Sequence, residues 1–319
     1  MSNKLSEVQT RMVGVHGLES VVGAMRGIAA ARSREARSRL DGIQACARMV
    51  GAAIGDALLL AGSPASATSI DAPAAGALTI ILGAEQGFVG TFNEHVIDAA
   101  ANSAAASPTE YFMVGDRVKV AAAERGLMIG WSAPMVTHAD EVPALADRLA
   151  NALYRRLEAG RVAQVKIVHA VPTSSAMVEV SQQMLLPFDF DRFSITPGRD
   201  APLVTLAPQR LLERLAQEYV FAQLCEAIML SFAAENEARM RAMIAARTNV
   251  HNTLEQLAGT FRQLRQEEIT SEIVELSAGN LAAAEGRRKP HLRGCTSRQF
   301  NADTLRQSGG PLQSASKEP

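Results

Sequence analysis

The sequence predicts an α/β fold in which long helices at the two ends of the chain pair as an antiparallel coiled coil, with a small α/β unit inserted between them. Three observations carry this. A helix-compatible run extends from Leu211 to about Ala284 without a proline; at 1.5 Å per residue it would be roughly 110 Å long, several times a typical globular helix. A second apolar stripe at helical spacing opens the chain. Between the two, short apolar runs alternate with amphipathic ones, as strands alternate with helices.

In the opening stretch Leu5, Val8, Met12, Val15, Leu18, Val22, Met25 and Ala29 recur at steps of three and four, which predicts one helix from Leu5 to about Leu60. Gly14, Gly17, Gly23 and Gly27 interrupt it, each at a cost of roughly 0.8–1 kcal/mol relative to alanine. Such a helix needs a partner, and its small residues are expected to let a second helix approach closely. The segment "AGSPASATSIDAPAAG" reads as a linker. Beyond it, "ALTIIL" predicts a buried strand, and "GAEQGFVGTFN" a turn into a helix carrying Val96, Ile97 and Ala100. "YFMVG" predicts a strand, "PALADRLANALYRRLEAG" a helix, and "VAQVKIVHAV" and "AMVEVSQQMLL" two further strands. This alternation predicts a small Rossmann-like α/β unit with a largely buried sheet. "PFDFDRFSITPGRDAPLVTLAP" is a proline-punctuated return to the long helix. The expected division is a coil helix over 1–62, a linker over 63–76, the α/β unit over 77–207, the second coil helix over 208–285 and a tail over 286–319.

The stripe Leu211, Leu215, Tyr219, Ala222, Cys225 and Met229 continues as Met240, Met243, Arg247, Val250, Leu254, Leu257, Phe261 and Leu264. A coiled-coil seam accounts for it, with an ordinary bundle on the α/β unit as the alternative. The expected seam includes Met25 from the first helix and Met243 and Leu264 from the last. Met25 has a second reading, as a residue facing an outside partner.

A net charge of -1 leaves no basic excess for a nucleic-acid backbone, so no nucleic-acid partner is expected. The strongest basic run, "RSREARSRL", sets Arg32, Arg34, Arg37 and Arg39 against Glu35. Cys46, Cys225 and Cys295 are widely spaced and odd in number, which argues against a disulfide framework or a CxxC metal site. "MVGAAIGDALLLAG" is shorter than the roughly 20 residues of a membrane span, and "MSNKLSEVQTRM" lacks the apolar core of a signal peptide. The chain is expected in the cytosol, reaching a membrane only through a partner.

No catalytic constellation emerges. "GAEQGFVG" lacks the lysine and Ser/Thr of a P-loop and does not match GxGxxG, so it reads as a structural turn before a phosphate site. His16, His95, His138, His169, His251 and His291 show no metal-ligand spacing. Ser174 and Ser175 near His169 lack the GxSxG elbow of a nucleophile. Glu267, Glu268, Glu272 and Glu275 read as a solvated or partner-facing side opposite Ile269, Ile273 and Leu276. No cofactor and no metal are expected.

The residues also carry a resemblance. "VQTRMVGVHGLESVVGAMRGIAAARSREA" resembles the first helix of the gamma subunit of F-type ATP synthases, sharing Arg11, Val15, Ala24, Met25, Ala29, Ala30 and Ala36. "AEQGFVGTFN" is similar to the family's SDRGLCGGxN turn, keeping Gly87, Gly90 and Asn93. "ENEARMRAMIAARTN" and "FRQLRQEEITSEIVEL" resemble its ARMxAMxxAxxN and ARQxxITxExxEI patterns at Ala238, Arg239, Met240, Ala242, Met243, Ala246, Asn249, Arg265, Gln266, Ile269, Thr270, Glu272 and Glu275. The likeness spans about the first 285 residues. Gly17 and Gly23 depart from its polar positions, Val22 replaces a threonine, Glu85-Gln86 replaces Asp-Arg and Val89 the usual cysteine. These changes fit a divergent branch, such as an alternate ion-translocating ATPase beside a conventional one.

The resemblance implies a central rotary shaft with no active site of its own. It implies alpha and beta partners in a 3:3:1 complex, an epsilon subunit and a membrane c-ring, and a peripheral place on the cytoplasmic face of a bacterial inner membrane. It also implies that Arg265, Gln266 and Thr270 meet a beta-subunit loop. Gln266 and Thr270 lie four apart on one helical face, and Arg265 beside them can grip a carboxylate as a fork. The alternative is a solvated face on which Arg265 offsets Glu268 and Glu272. A different class of protein, a coiled-coil adaptor or scaffold with an α/β head, fits the same pattern of elements. The segment from Glu285 onward, rich in Gly, Ser, Pro and charge, reads as a disordered tail.

Overall fold

A computed structural model describes residues 2–61, 76–102, 109–173, 178–190, 192–193 and 204–286. Most of the expected linker, Ser174, Ser175, Cys295, His291 and the tail from residue 287 lie outside them. The chain divides into two units, residues 2–262 and residues 263 onward.

In the first unit, α1 runs from Ser2 to Ala61. β1 (Gly76–Leu82), α2 (Phe92–Asn102) and β2 (Thr109–Val114) follow. Two elements not foreseen in the sequence come next, α3 (Asp116–Glu124) and β3 (Ile129–Ala133). They are short, and of the β3 side chains only Ala133 is buried, so neither leaves a strong periodic signal. A 3-10 turn (Ala139–Glu141) leads into α4 (Val142–Glu158), then β4 (Val162–Val171) and β5 (Glu179–Leu186). α5 runs unbroken from Pro208 to Gly286, crossing the boundary between the units.

The strands form one sheet in the order β3-β2-β1-β4-β5. β3, β2, β1 and β4 are parallel and β5 pairs antiparallel with β4. Parallel strands must be covered on both faces, which explains why β1 is apolar at every position from Ala77 to Leu82 except the buried Thr79. Leu78, Ile80, Leu82, Phe112, Val114, Val165 and Ile167 turn to one face, under α4 and the Val220–Ala233 stretch of α5. Ile81, Tyr111, Met113, Val168 and Ala170 turn to the other, under α2 and α3. α4 is laid down by Val142, Leu145, Ala146, Leu149, Ala150 and Leu153 at helical spacing. Pro143 suits its first turn, Arg155 and Arg156 sit at its negative C-terminus, and Gly160 closes it at φ +63°.

α1 lies antiparallel along α5. Ser33 and Gln44 of α1 reach Glu237 and Glu226 of α5: eleven residues forward on one helix (44 − 33) match eleven backward on the other (237 − 226). The pairing continues where Ile54, Ala57 and Leu58 pack on Leu212, Leu211, Leu215 and Tyr219. One 18-residue stretch within α1 is, by length and hydropathy alone, apolar enough to cross a bilayer. In the fold its buried positions, Ala29, Ser33, Ala36, Ala47, Ile54 and Ala57, face inward.

The glycines of α1 do not do what their pattern predicts. A Cβ at Gly14, Gly17, Gly23, Gly27 or Gly42 would meet nothing within 4 Å, so none serves a close approach to α5. The close approach occurs at Gly51, where a Cβ would lie 3.2 Å from Phe193 and 3.6 Å from Tyr219. Helical spacing identifies a side of α1 but cannot say which positions on it meet the partner.

Candidate functional site

The long helices meet through a seam of small side chains crossed by two polar clasps. At the upper clasp Glu237, buried, accepts from Ser33 Oγ at 3.3 Å and pairs with Arg37. Arg37 is exposed on its other side, so the pair is only half desolvated. At the lower clasp Gln44 Nε2 donates to Glu226 Oε1 at 3.0 Å and Gln223 Nε2 donates to Glu226 Oε2 at 3.3 Å. Gln183 on β5 completes this network by donating to Gln223. Because alanines pack with little shape to oppose sliding, directed hydrogen bonds fix the register.

The same helix is tied to the sheet at the glycine turn after β1. Asn93 Oδ1 accepts the Ala84 N–H at 2.9 Å and closes the turn. Gly90 takes φ +62°, and Phe88 holds the same φ although it carries a side chain, a strain of about 1–3 kcal/mol. What holds it is Arg239 of α5. Its guanidinium donates to Gly87 O at 3.3 Å, Gln86 O at 3.2 Å, Asn236 Oδ1 at 3.3 Å and Glu235 Oε1 at 2.6 Å. Burial pushes the Glu235 carboxyl above its ordinary range while Arg239 pulls it back. Glu85, in the same turn, accepts the Met135 and Asp116 N–H groups at 2.8 and 3.1 Å and so joins three crossovers at the C-terminal end of the sheet. Ser231 Oγ donates to Leu82 O at 3.1 Å, a further tie between α5 and β1. The Gln86 and Gly87 carbonyls and the Ala84 N–H of the turn are thus taken up by the protein's own side chains, as in a structural joint.

Of the expected seam residues, Met243 is buried and Met25 and Leu264 are half-buried. Arg265, Gln266 and Thr270 are exposed, and the Thr270 hydroxyl donates to Gln266 O at 2.8 Å. That bond stays within one turn of helix and leaves both polar side chains turned outward. The acidic set divides, with Glu267, Glu272 and Glu275 exposed and Glu268 half-buried, while Ile269, Ile273 and Leu276 are exposed as well. The basic run also divides: Arg37 goes to Glu237 and Arg39 to Glu35 at 3.4 Å. His169 is buried, and burial lowers its pKa. Among the described residues no group of three or more His, Cys, Asp or Glu could hold a metal ion. The sequence reading passed over Glu235, Glu237, Ser33 and Glu226; only polar residues falling on the apolar side of α1 and α5 could have signalled them.

Within residues 2–262, α1 and α5 held antiparallel in register, with an α/β unit inserted between them in sequence, define a paired-helix protein with an α/β insert. The family model described as "ATP synthase" matches residues 4–283. The ATP synthase gamma chain of Bdellovibrio bacteriovorus is 23% identical over 289 residues, covering 86% of this chain and 97% of its own length. That of Frankia casuarinae is 26% identical over 306 residues, covering 90% and 100%. In fold, the chain matches a chain of the Euglena gracilis mitochondrial ATP synthase rotor at TM-score 0.61 and 14% identity, over 84% of this chain and 100% of that one. The chain belongs to the ATP synthase family, as one of its gamma subunits, the central rotary shaft.

Proposed function

We propose that the paired helices turn inside a ring of three alpha and three beta subunits while the α/β head meets an epsilon subunit and a membrane c-ring. This places the protein, as a peripheral subunit, on the cytoplasmic face of a bacterial inner membrane. One observation carries the reading. Both helices leave large apolar side chains in water, among them Val13, Leu18, Val21 and Ile28 on α1 and Ile273, Val274 and Leu276 on α5, with Val13 68% and Leu276 70% exposed. Rows of exposed apolar residues on a helix call for a surrounding partner. A shaft needs no nucleophile; it needs stiffness, which the half-buried clasps between the helices favour. Arg265, Gln266 and Thr270 are the proposed contacts with a beta-subunit loop, where a fork and two outward polar groups would hold the shaft at a preferred angle and release as the catalytic site changes state.

Co-purification tests the assembly. Recovery with alpha and beta subunits at 3:3:1 and ATPase activity is expected, whereas discrete complexes with unrelated proteins would leave the adaptor reading. For the contact, Gln266 and Thr270 are both replaced by alanine in a complex verified to assemble, and hydrolysis is measured beside ATP-driven ion pumping. A fall in either rate is expected; unchanged rates and coupling remove these residues from the mechanism.

A further inference from the structure

We propose that the groove between β3 and α4 is a docking site for an acidic, extended segment of a partner protein. The groove encloses about 500 Å³. Its floor is the tilted ring pair Phe112 and Trp131, with centroids 5.4 Å apart, and its wall is Arg148, Asn151, Arg155 and Arg156 on α4. Trp131 is the chain's sole tryptophan.

The arginines are not equivalent. Arg156 is committed within the protein: Nε donates to Glu110 at 2.9 Å, one terminal nitrogen donates to Gly130 O at 3.2 Å, and its guanidinium lies 5.8 Å above the Phe112 ring. Arg148 and Arg155 are exposed and form no ion pair among the described residues. They stand seven residues apart on one stripe of α4, about 10 Å along its axis. That separation decides the ligand class. A compact polyphosphate would be gripped at one end only, and neither a glycine loop nor a helix N-terminus lines the groove to cradle it. Two carboxylates on separate residues of one segment match both cations, with an apolar side chain between them on the aromatic floor.

The surroundings favour protein as the occupant. β3 is the edge of the sheet, and no strand pairs with its outer side among the described residues. Met128, which leads into it, is 77% exposed. Trp, Arg and Met are the residues that interfaces concentrate, and an edge strand offers backbone groups to an extended chain. The site lies on the head and is separate from the proposed beta-subunit contact at Arg265, Gln266 and Thr270. It rests on the chain being part of an assembly.

The test uses the full chain within its purified ATPase complex, with a photo-crosslinking amino acid at Met128. A crosslink mapped to a segment of another subunit carrying at least two carboxylates is expected. Its yield should fall at least about tenfold in the Arg148→Glu/Arg155→Glu variant, since like charges then face each other, and it should weaken with added salt. Reversing Arg117, on α3, should change nothing. A complex that purifies with full ATPase activity but gives no crosslink, or one indifferent to the charge reversal, overturns the site and leaves the shaft reading intact. Failure of the complex to form at all counts against the shaft, and the crosslink is then sought in the isolated chain mixed with each purified subunit, where its absence again overturns the site. Saturable quenching of Trp131 by ATP in the isolated chain, lost in the double variant, would make the groove a nucleotide pocket and also overturn it.

Discussion

Replacing Arg239 by alanine should remove the joint between the long helix and the glycine turn. Arg239 is 5% exposed, and its guanidinium makes four hydrogen bonds, between 2.6 and 3.3 Å, to Glu235, Asn236, Gln86 and Gly87. Its loss leaves the Glu235 carboxylate, itself 3% exposed, without its countercharge, which typically costs about 3–5 kcal/mol. Proton uptake by Glu235 is the relief available. Burial already sets the folded pKa above the unfolded value near 4.5, and losing Arg239 raises it further. Between the two values the folded state holds a proton the unfolded state has released, so stability falls as pH rises through that window. The deficit of Arg239→Ala should therefore be smaller at pH 5 than at pH 8. Urea unfolding of the full chain, followed by Trp131 fluorescence, measures it. Arg239→Lys should recover only part, because an ammonium cannot serve Glu235 and both carbonyls at once. Glu235→Leu with Arg239→Met should be far milder than Arg239→Ala, since no buried charge remains. A loss below about 1 kcal/mol for Arg239→Ala, or full recovery with lysine, would refute the joint.

Glu237→Ala should loosen the register of the long helices, read as a broader spread of disulfides between a cysteine at Ala29 and cysteines placed in turn from Met240 to Ala246; an unchanged spread would mean the alanine seam suffices. His169 is held neutral by burial, its pKa below the ordinary 6.5; in the window below 6.5 only the unfolded chain takes up the proton, so stability should fall with pH there and His169→Gln should flatten the slope. The Cys225 thiol, buried and pushed up to about 12, should resist iodoacetamide at pH 8, its thiolate fraction being about one in ten thousand. Cys46 is exposed and should alkylate first in a Cys295→Ser chain, with Cys225 reacting on unfolding.

The helices and most strands were legible because they repeat. α1, α4 and α5 announce themselves by apolar spacing, and β1 and β4 by short runs rich in β-branched and apolar residues. α3 and β3 were not, because what defines them is tertiary: a Cβ at Gly83 would sit 2.2 Å from Val118 Cβ, so α3 can cross the end of β1 only over a glycine. The clasps and the Arg239 joint were hidden for the same reason. A glutamate on an apolar stripe gives no sign of its partner 200 residues away. The resemblance picked out Arg239 by position and gave it no role.

The residues that close the seam are far apart in the chain. Ser33 and Glu237 are separated by 204 residues, and Gln44 and Glu226 by 182. α1 leaves the ribosome well before α5, the helix it pairs with. At the usual 5–20 residues per second, α1 waits roughly 10–40 s with its apolar side unpartnered. During that interval the inserted head can complete its five-stranded sheet, but the face reserved for α5 stays open. Loop closure over such a distance adds little to the entropic cost, since that cost grows only as the logarithm of length. The burden is therefore one of time, and it falls on whatever shields a half-made shaft during translation.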